Sequence, residues 1–231
     1  MSGGLLYHFR AVLHGKNQGL WSSHQVGVKQ FLDRWNPPEK SLVLIGPSGG
    51  YSLPKFFLER FSEVIAIEPD LLARLIFEKR FLIKPKWIKG RVNFNRLDNL
   101  EGLIPPGAAI LFCNLLGQVP LNSTSHIAQV FKKNLSSRSW ASFHDALSGE
   151  LLEFDTELAE PLKKANLVQM KAWIYPKVKL GSVLTVNAHQ APDLFRDEKN
   201  NHFFYWQWRI IPRRTHLIEG VFHIAENKAL R

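Results

Sequence analysis

Short apolar runs alternate with longer amphipathic segments from residue 41 onward, and this alternation constrains the fold most strongly. Runs with the character of buried strands occur at 41–46, 63–68, 91–95, 108–114 and 140–144. Helices are predicted at 53–61, 70–81, 121–135 and 150–165. Continuous apolar strands separated by helices are typical of a parallel sheet that is covered on both faces.

The two ends of the chain follow different patterns. Apolar residues recur at helical spacing over 5–35, with a break at 15–19, and Pro37 and Pro38 end the second helix. Near the other end, strands are predicted at 168–175, 203–211 and 216–224, with no strong helix between the last two. We therefore expect a three-layer, Rossmann-like α/β fold. Its mostly parallel sheet ends in an antiparallel strand pair, and residues 1–38 form a helical cap of the same domain as 39–231.

A glycine-rich turn follows the first predicted strand. It consists of Gly46, Pro47, Ser48, Gly49 and Gly50. Glycine lets the backbone approach a ligand closely, and the amide groups of the next helix point at the carboxyl edge of the sheet. An acidic residue about 20 positions further on can accept hydrogen bonds from ribose hydroxyls. Glu68, at the end of the second predicted strand, has this spacing.

With these features, residues 41–118 resemble the cofactor half of the class I S-adenosylmethionine-dependent methyltransferases. The resemblance implies that the glycine turn contacts the amino-acid part of the cofactor and that Glu68 binds the ribose. It also implies that Asp98 lies near the adenine and that Asn114 and Leu115 border the methyl group. The turn departs from the usual GxGxG pattern, and Leu44 stands where the family often has an acid.

Other nucleotide sites fit the turn less well. A dinucleotide site needs glycine where Ser48 and Tyr51 stand, and a P-loop needs a lysine that the turn lacks. A turn that only connects strand to helix remains an alternative.

Methyl transfer needs the acceptor held in line and, for some acceptors, a base that removes a proton. The candidates are Asn114, after the fourth predicted strand, with His144 and Asp145, after the fifth. The alternative for His144 and Asp145 is an ordinary polar strand end. The Pro-Cys and Asn-Pro-Pro-Tyr motifs of nucleic-acid base methyltransferases are absent around Cys113 and Asn114, and no motif identifies the acceptor.

The net charge is +10, and the sequence pI is about 9.8. Such a balance favours acidic partners, nucleic acid among them. Basic residues surround Trp87 in 84–91, which suggests a stacking platform, with a solvated loop as the alternative. The second functional hypothesis is therefore a non-catalytic methyltransferase-like module that binds RNA or another acidic partner. A membrane-surface role has little support, because no basic amphipathic helix is evident.

The single cysteine, Cys113, excludes an intrachain disulfide and a cysteine-based zinc site. The nine histidines lack HxH or HExxH spacing, so no metal is expected. Neither a signal peptide nor a long apolar span is evident, and we expect a cytoplasmic protein.

Overall fold

A computed structural model describes residues 4–14, 19–88, 102–115, 133–149 and 201–225, together with the single residues 129, 169, 172 and 176. The helices are α1 (Gly4–His14), α2 (Ser22–Arg34), α3 (Lys55–Leu58) and α4 (Leu71–Phe81). The strands are β1 (Ser41–Ile45), β2 (Glu63–Ile67), β3 (Lys86–Ile88), β4 (Ala108–Cys113), β5 (Trp140–Gly149), β6 (Asn201–Ile211) and β7 (Arg214–His223).

These strands form one seven-stranded sheet in the order β3-β2-β1-β4-β5-β7-β6. Strands β1 to β5 run parallel to one another. Strand β7 is antiparallel to both of its neighbours, β5 and β6. The predicted mostly parallel, Rossmann-like sheet with an antiparallel C-terminal pair is therefore confirmed.

All four described helices contribute to one apolar core on a single face of the sheet. Leu42 and Leu44 of β1 face this layer, where they share the core with Phe31 of α2, Phe57 of α3 and Phe77 of α4. Side chains alternate between the faces of a strand, so neighbouring positions point to the other side, where they are also buried. The helices predicted for that side, at 121–135 and 150–165, lie almost wholly outside the described residues.

Helix α4 begins where the sequence predicts it. Asp70 is the residue before its first turn, and its carboxylate accepts hydrogen bonds from the backbone N–H groups of Leu72 and Ala73, at 2.9 and 3.3 Å. Such a cap satisfies donors that the first turn of a helix leaves unpaired. The helix ends at Leu82, whose φ is +57°.

Two of the strand predictions need correction, and the predicted strand 91–95 lies outside the described residues. Within the described part, β3 (Lys86–Ile88) pairs with β2, in a segment for which the sequence also allowed a solvated loop. Strand β5 continues to Gly149, because β7 pairs with it over its whole length and a bulge between Asp145 and Leu147 absorbs the irregularity. In the predicted strand 168–175, the two described residues, 169 and 172, are helical.

Candidate functional site

The carboxyl ends of β1, β2 and β4 meet at one edge of the sheet. The N–H of Gly46, after β1, donates to the carbonyl oxygen of Ile67 at 2.9 Å. The N–H of Asn114, after β4, donates to the carbonyl oxygen of Phe143 in β5 at 2.8 Å. In doubly wound sheets this is the edge at which ligands bind. The structure thus brings the glycine turn, Glu68 and Asn114 to one crevice.

The glycine turn is held in a tight conformation. Gly46, Ser48 and Gly50 have φ values of +67°, +51° and +68°, in the left-handed region. A Cβ atom on Gly46 would lie 3.4 Å from a methyl carbon of Leu115, so this glycine lets the turn and the end of β4 approach each other. The hydroxyl oxygen of Ser48 is buried and has no hydrogen-bond partner in the part of the chain that the structure describes.

Glu68 binds the turn directly. Its side chain is only 2% exposed, and its two oxygens accept hydrogen bonds from the N–H groups of Ser48, at 2.9 Å, and Asp70, at 3.0 Å. Burial raises the pKa of the Glu68 carboxyl, and these two N–H donors offset part of that rise. An ionised carboxylate has about four lone-pair positions, so each oxygen retains acceptor capacity.

Helix α1 covers this crevice with its polar side. The ring nitrogens of His8 lie 2.9 Å from the Tyr51 hydroxyl and 3.2 Å from a carboxylate oxygen of Asp70. Burial raises the pKa of Tyr7, and the neighbouring Tyr51, Glu68 and Cys113 add to the rise. The Tyr7 ring packs edge-on against the Tyr51 ring, with 6.1 Å between the ring centroids. The sequence patterns did not single out Tyr7 or His8; their only signal is a position opposite the apolar stripe of α1.

A wall of aromatic rings extends from the crevice to β6. Trp21 lies 5.9 Å from Tyr7 and 5.0 Å from Trp208, measured between ring centroids, and His24 stacks on Trp208 at 4.3 Å. The Trp208 ring nitrogen is buried without a hydrogen-bond partner among the described residues. Trp206 and Trp208 of β6 are 6% and 3% exposed, so these rings form part of the core beneath α2.

Asp145 lies on the face of the sheet that α2 covers. Its carboxylate is 3.5 Å from the Nδ1 atom of His216 in β7, and the Ser148 hydroxyl is 2.6 Å from the same nitrogen. The Asn114 side-chain oxygen accepts a hydrogen bond from the Asp145 N–H at 3.2 Å and so ties β4 to β5. His216 was not predicted as a site residue, because its partners Asp145 and Ser148 in β5 lie about 70 positions earlier in the chain.

His144 points to the opposite face, since consecutive strand residues alternate. Its Nε2 atom is 3.5 Å from a carboxylate oxygen of Glu219, and the Tyr205 hydroxyl donates to the other oxygen of Glu219. The predicted neighbours His144 and Asp145 therefore belong to separate polar groups on separate faces. The structure brings Asn114 and Asp145 together and leaves His144 apart from them.

Two further residues from the sequence analysis have internal roles. The Trp87 ring nitrogen donates to Glu78 at 2.7 Å, and the guanidinium group of Arg74 lies 5.3 Å from the centre of its ring. Glu78 therefore contacts the edge of the Trp87 ring, and Arg74 covers one of its faces, so both are occupied within the protein.

Burial raises the pKa of the Cys113 thiol, which keeps it protonated and unreactive. Asp98 lies outside the described residues.

The sheet order, the antiparallel seventh strand and the glycine turn after β1 together define the class I methyltransferase fold. No protein-family model matches the chain. No curated protein matches it either.

Several solved structures of methyltransferases are similar to the chain in fold. The plantazolicin methyltransferase BamL, in complex with a triazolic desmethylPZN analog and SAH, is 12% identical, with 96% of this chain and 90% of that chain covered and a TM-score of 0.47. An rRNA methylase from Streptococcus thermophilus is 11% identical, with 85% and 94% covered and a TM-score of 0.45. Magnesium protoporphyrin IX methyltransferase from Synechocystis PCC 6803 with bound SAM is 10% identical, with 86% and 79% covered and a TM-score of 0.44.

Proposed function

We propose that this chain is an S-adenosylmethionine-dependent methyltransferase whose acceptor is a molecule still to be identified. The observation that carries the proposal is the junction of the glycine turn with Glu68, at the edge where β1, β2 and β4 end. The hydrogen bond from the Ser48 N–H to Glu68 brings the backbone amides of the turn next to a carboxylate. A nucleoside with an amino-acid tail needs both: the turn for the tail and the carboxylate for the ribose.

The residues present fit this cofactor. The buried, unpartnered hydroxyl of Ser48 and the remaining lone pairs of Glu68 offer hydrogen bonds to a polar ligand. In this proposal Gly46, Pro47, Ser48, Gly49 and Gly50 hold the amino-acid part, and Glu68 holds the ribose. Asp98 contacts the adenine, while Asn114 and Leu115 border the methyl group. When bound, S-adenosylmethionine supplies a methyl group already activated by its sulfonium.

Asp145 and His216 are the pair that we assign to proton transfer. The carboxylate of Asp145 orients the imidazole ring of His216, and an imidazole nitrogen can accept and release a proton. Asn114 positions Asp145 through the hydrogen bond to its backbone N–H. His144 faces Glu219 on the other side of the sheet, so we now assign it to holding β5 against β7 rather than to proton transfer.

The acceptor would enter beneath α1 and α2, against the aromatic wall. Tyr7, Trp21 and Trp208 exclude water from that space, and the buried N–H of Trp208 supplies a donor to a polar atom of the acceptor. This placement agrees with a division in which residues 1–38 act as a cap on the domain formed by 39–231.

Calorimetric titration with S-adenosylhomocysteine tests the proposal. We expect micromolar binding by the full chain and a rise in its melting temperature. Neither heat nor a thermal shift at saturating ligand would overturn the proposal.

Two substitutions locate the site. Glu68→Ala should weaken binding by about 1–3 kcal/mol, because ribose hydroxyls lose their acceptor. Ser48→Ala should weaken binding while leaving the stability of the free protein nearly unchanged, since its hydroxyl has no partner among the described residues. Glu63→Ala, at the exposed start of β2, is the matched control and should bind normally. Equal affinity in all three variants would contradict the assignment.

A further inference from the structure

Helix α1 has its apolar side turned outward. Leu5, Leu6, Phe9, Val12 and Leu13 are each between 55% and 77% exposed. Its inward side carries Tyr7, His8 and Ala11, which cover the crevice. An amphipathic helix on a globular protein ordinarily buries its apolar stripe, so this arrangement is reversed. Because apolar residues at helical spacing are normally buried, the sequence of residues 5–13 does not by itself predict that they lie on the surface.

The start of α4 extends this surface. The contact between His8 and Asp70 joins the two helices, and the exposed residues Leu71 and Leu72 directly follow Asp70. Leu71 is 70% exposed and Leu75, one turn further on, is 65% exposed. We use the name apolar patch for these eight residues: Leu5, Leu6, Phe9, Val12, Leu13, Leu71, Leu72 and Leu75. Monomeric soluble proteins rarely expose so many large apolar side chains in neighbouring elements.

Among the described residues, the exposed charges on α1 and in the last turn of α4 are positive. Arg10 is exposed on α1, and Lys79 and Arg80 are exposed in the last turn of α4. The acidic residues of this region are engaged within the protein: Asp70 binds His8 and caps α4, and Glu78 accepts from Trp87. Helix α1 contains no acidic residue.

We propose that the apolar patch docks on an anionic membrane surface, with α1 lying in the plane of the headgroups. Apolar side chains that insert below the headgroups and cations that contact lipid phosphates are the combination such a surface recognises. Among the described helices none is long and apolar enough to span a bilayer, so the contact is peripheral. A second copy of this chain would bring like charges together around the patch, and a nucleic acid would leave the leucines uncovered.

Vesicle flotation with the full chain tests the proposal. We expect binding to vesicles of equimolar phosphatidylglycerol and phosphatidylcholine, much weaker binding to phosphatidylcholine alone, and a decline as salt concentration rises. The triple variant Leu5→Gln, Phe9→Gln and Leu13→Gln should bind about tenfold less or weaker still. Glutamine preserves helix propensity, and the three replaced side chains are exposed, so we expect the fold to persist. Circular dichroism and the melting temperature check this.

A control variant separates the patch from general hydrophobicity. Val26→Gln with Phe56→Gln removes exposed apolar residues that lie outside the patch and should bind vesicles within twofold of the unmodified chain. Absence of vesicle binding, or equal binding by the triple variant, would overturn the proposal. A dimer in light scattering that the triple variant abolishes, without vesicle binding, would overturn it in favour of a second copy.

Discussion

The parallel and antiparallel halves of the sheet use their buried polar groups in different ways. In the parallel half, Glu68 binds backbone N–H groups of residues within 20 positions of it along the chain. In the antiparallel half, buried side chains bind one another across strands, as Glu219 does with Tyr205 and Asp145 with His216. In the function that we propose, the first half presents backbone groups and one carboxylate to the cofactor. The second half holds a network of titratable side chains.

This difference separates two kinds of site. Backbone groups and glycines suit a cofactor that many enzymes share, because they depend little on side-chain identity. Cross-strand networks suit the chemistry of one acceptor, because each member fixes the orientation of another. The predictions below test whether the two halves depend on their polar groups in these different ways.

The largest effect is expected from Glu219→Ala in the antiparallel half. The side chain is fully buried, and the substitution removes the carboxylate that His144 and Tyr205 contact. We expect the free energy of unfolding to fall by about 3–5 kcal/mol, measured by urea denaturation. Affinity for S-adenosylhomocysteine should be nearly unchanged in the folded fraction, because Glu219 lies on the face opposite the crevice cover.

Glu63→Ala serves again as the control, since among the described residues its carboxylate accepts one hydrogen bond, from the Ser41 hydroxyl at 3.2 Å. A loss below about 0.5 kcal/mol is expected there. If Glu219→Ala were as mild as this control, the network in the antiparallel half would not be important for stability.

The next effect concerns the glycine turn. Gly50 has a φ of +68°, and a Cβ atom there would overlap the ring of Phe81 and lie 3.0 Å from the ring of Phe77. We expect Gly50→Ala to cost about 3 kcal/mol in unfolding free energy, from backbone strain together with overpacking against α4.

Gly107→Ala is a matched control with the same strain and no clash. Its φ is +73°, and no atom of the described residues, apart from its two chain neighbours, lies within 4 Å of the added carbon. A cost of about 1 kcal/mol is expected from the left-handed backbone alone. Equal costs in the two variants would show that the turn does not depend on its packing against Phe77 and Phe81.

The sequence was most informative where the contacts are local. The helix predicted over 70–81 and the spacing from Gly46 to Glu68 depend on neighbouring residues, so periodicity and turn chemistry could predict them. The extent of β5 was missed, because its second half is specified by pairing with β7, which comes about 70 residues later. β3 was missed for a related reason: only three residues pair with β2, and two lysines flank or occupy that stretch.

The candidate site divides in the same way. The roles that we propose for the glycine turn and Glu68 follow from their positions in the chain. His216 gains its partners Asp145 and Ser148 only through the antiparallel pairing of β5 with β7. Tyr7 packs against Trp21 and Tyr51 only because α1 turns its polar side inward. Helical periodicity predicts that a helix has an apolar stripe, but it does not predict which side of the protein that stripe faces.

The smallest effect comes from His24, which connects the two halves. Its Nδ1 atom accepts from the Trp206 ring N–H at 3.0 Å, so the ring hydrogen is on Nε2, 2.9 Å from the Ser52 hydroxyl near the glycine turn. Burial lowers the pKa of His24 to about 3, with a further contribution from His216. The folded protein therefore keeps this histidine neutral at pH values where the unfolded chain protonates it.

The sign of the pH dependence follows. Above the unfolded-state pKa of about 6.5, His24 is neutral in both the folded and the unfolded chain, so its protonation does not reduce the free energy of unfolding. As the pH falls, protons bind the unfolded chain first, so the free energy of unfolding should drop by about 2 kcal/mol between pH 7.5 and pH 5. The loss continues until the folded pKa is reached. Urea titrations at a series of pH values measure it.

The difference between the unmodified chain and His24→Gln isolates this contribution, because the other histidines and carboxylates titrate in both. Glutamine retains an acceptor for Trp206 and a donor for Ser52 but cannot take up a proton in this range. The variant should be less stable at pH 7.5, where the stacking on Trp208 is lost. Its stability should also decline less toward pH 5. Parallel pH profiles would mean that His24 is protonated within the fold, and the junction between the glycine turn and β6 would then carry a charge rather than a neutral ring.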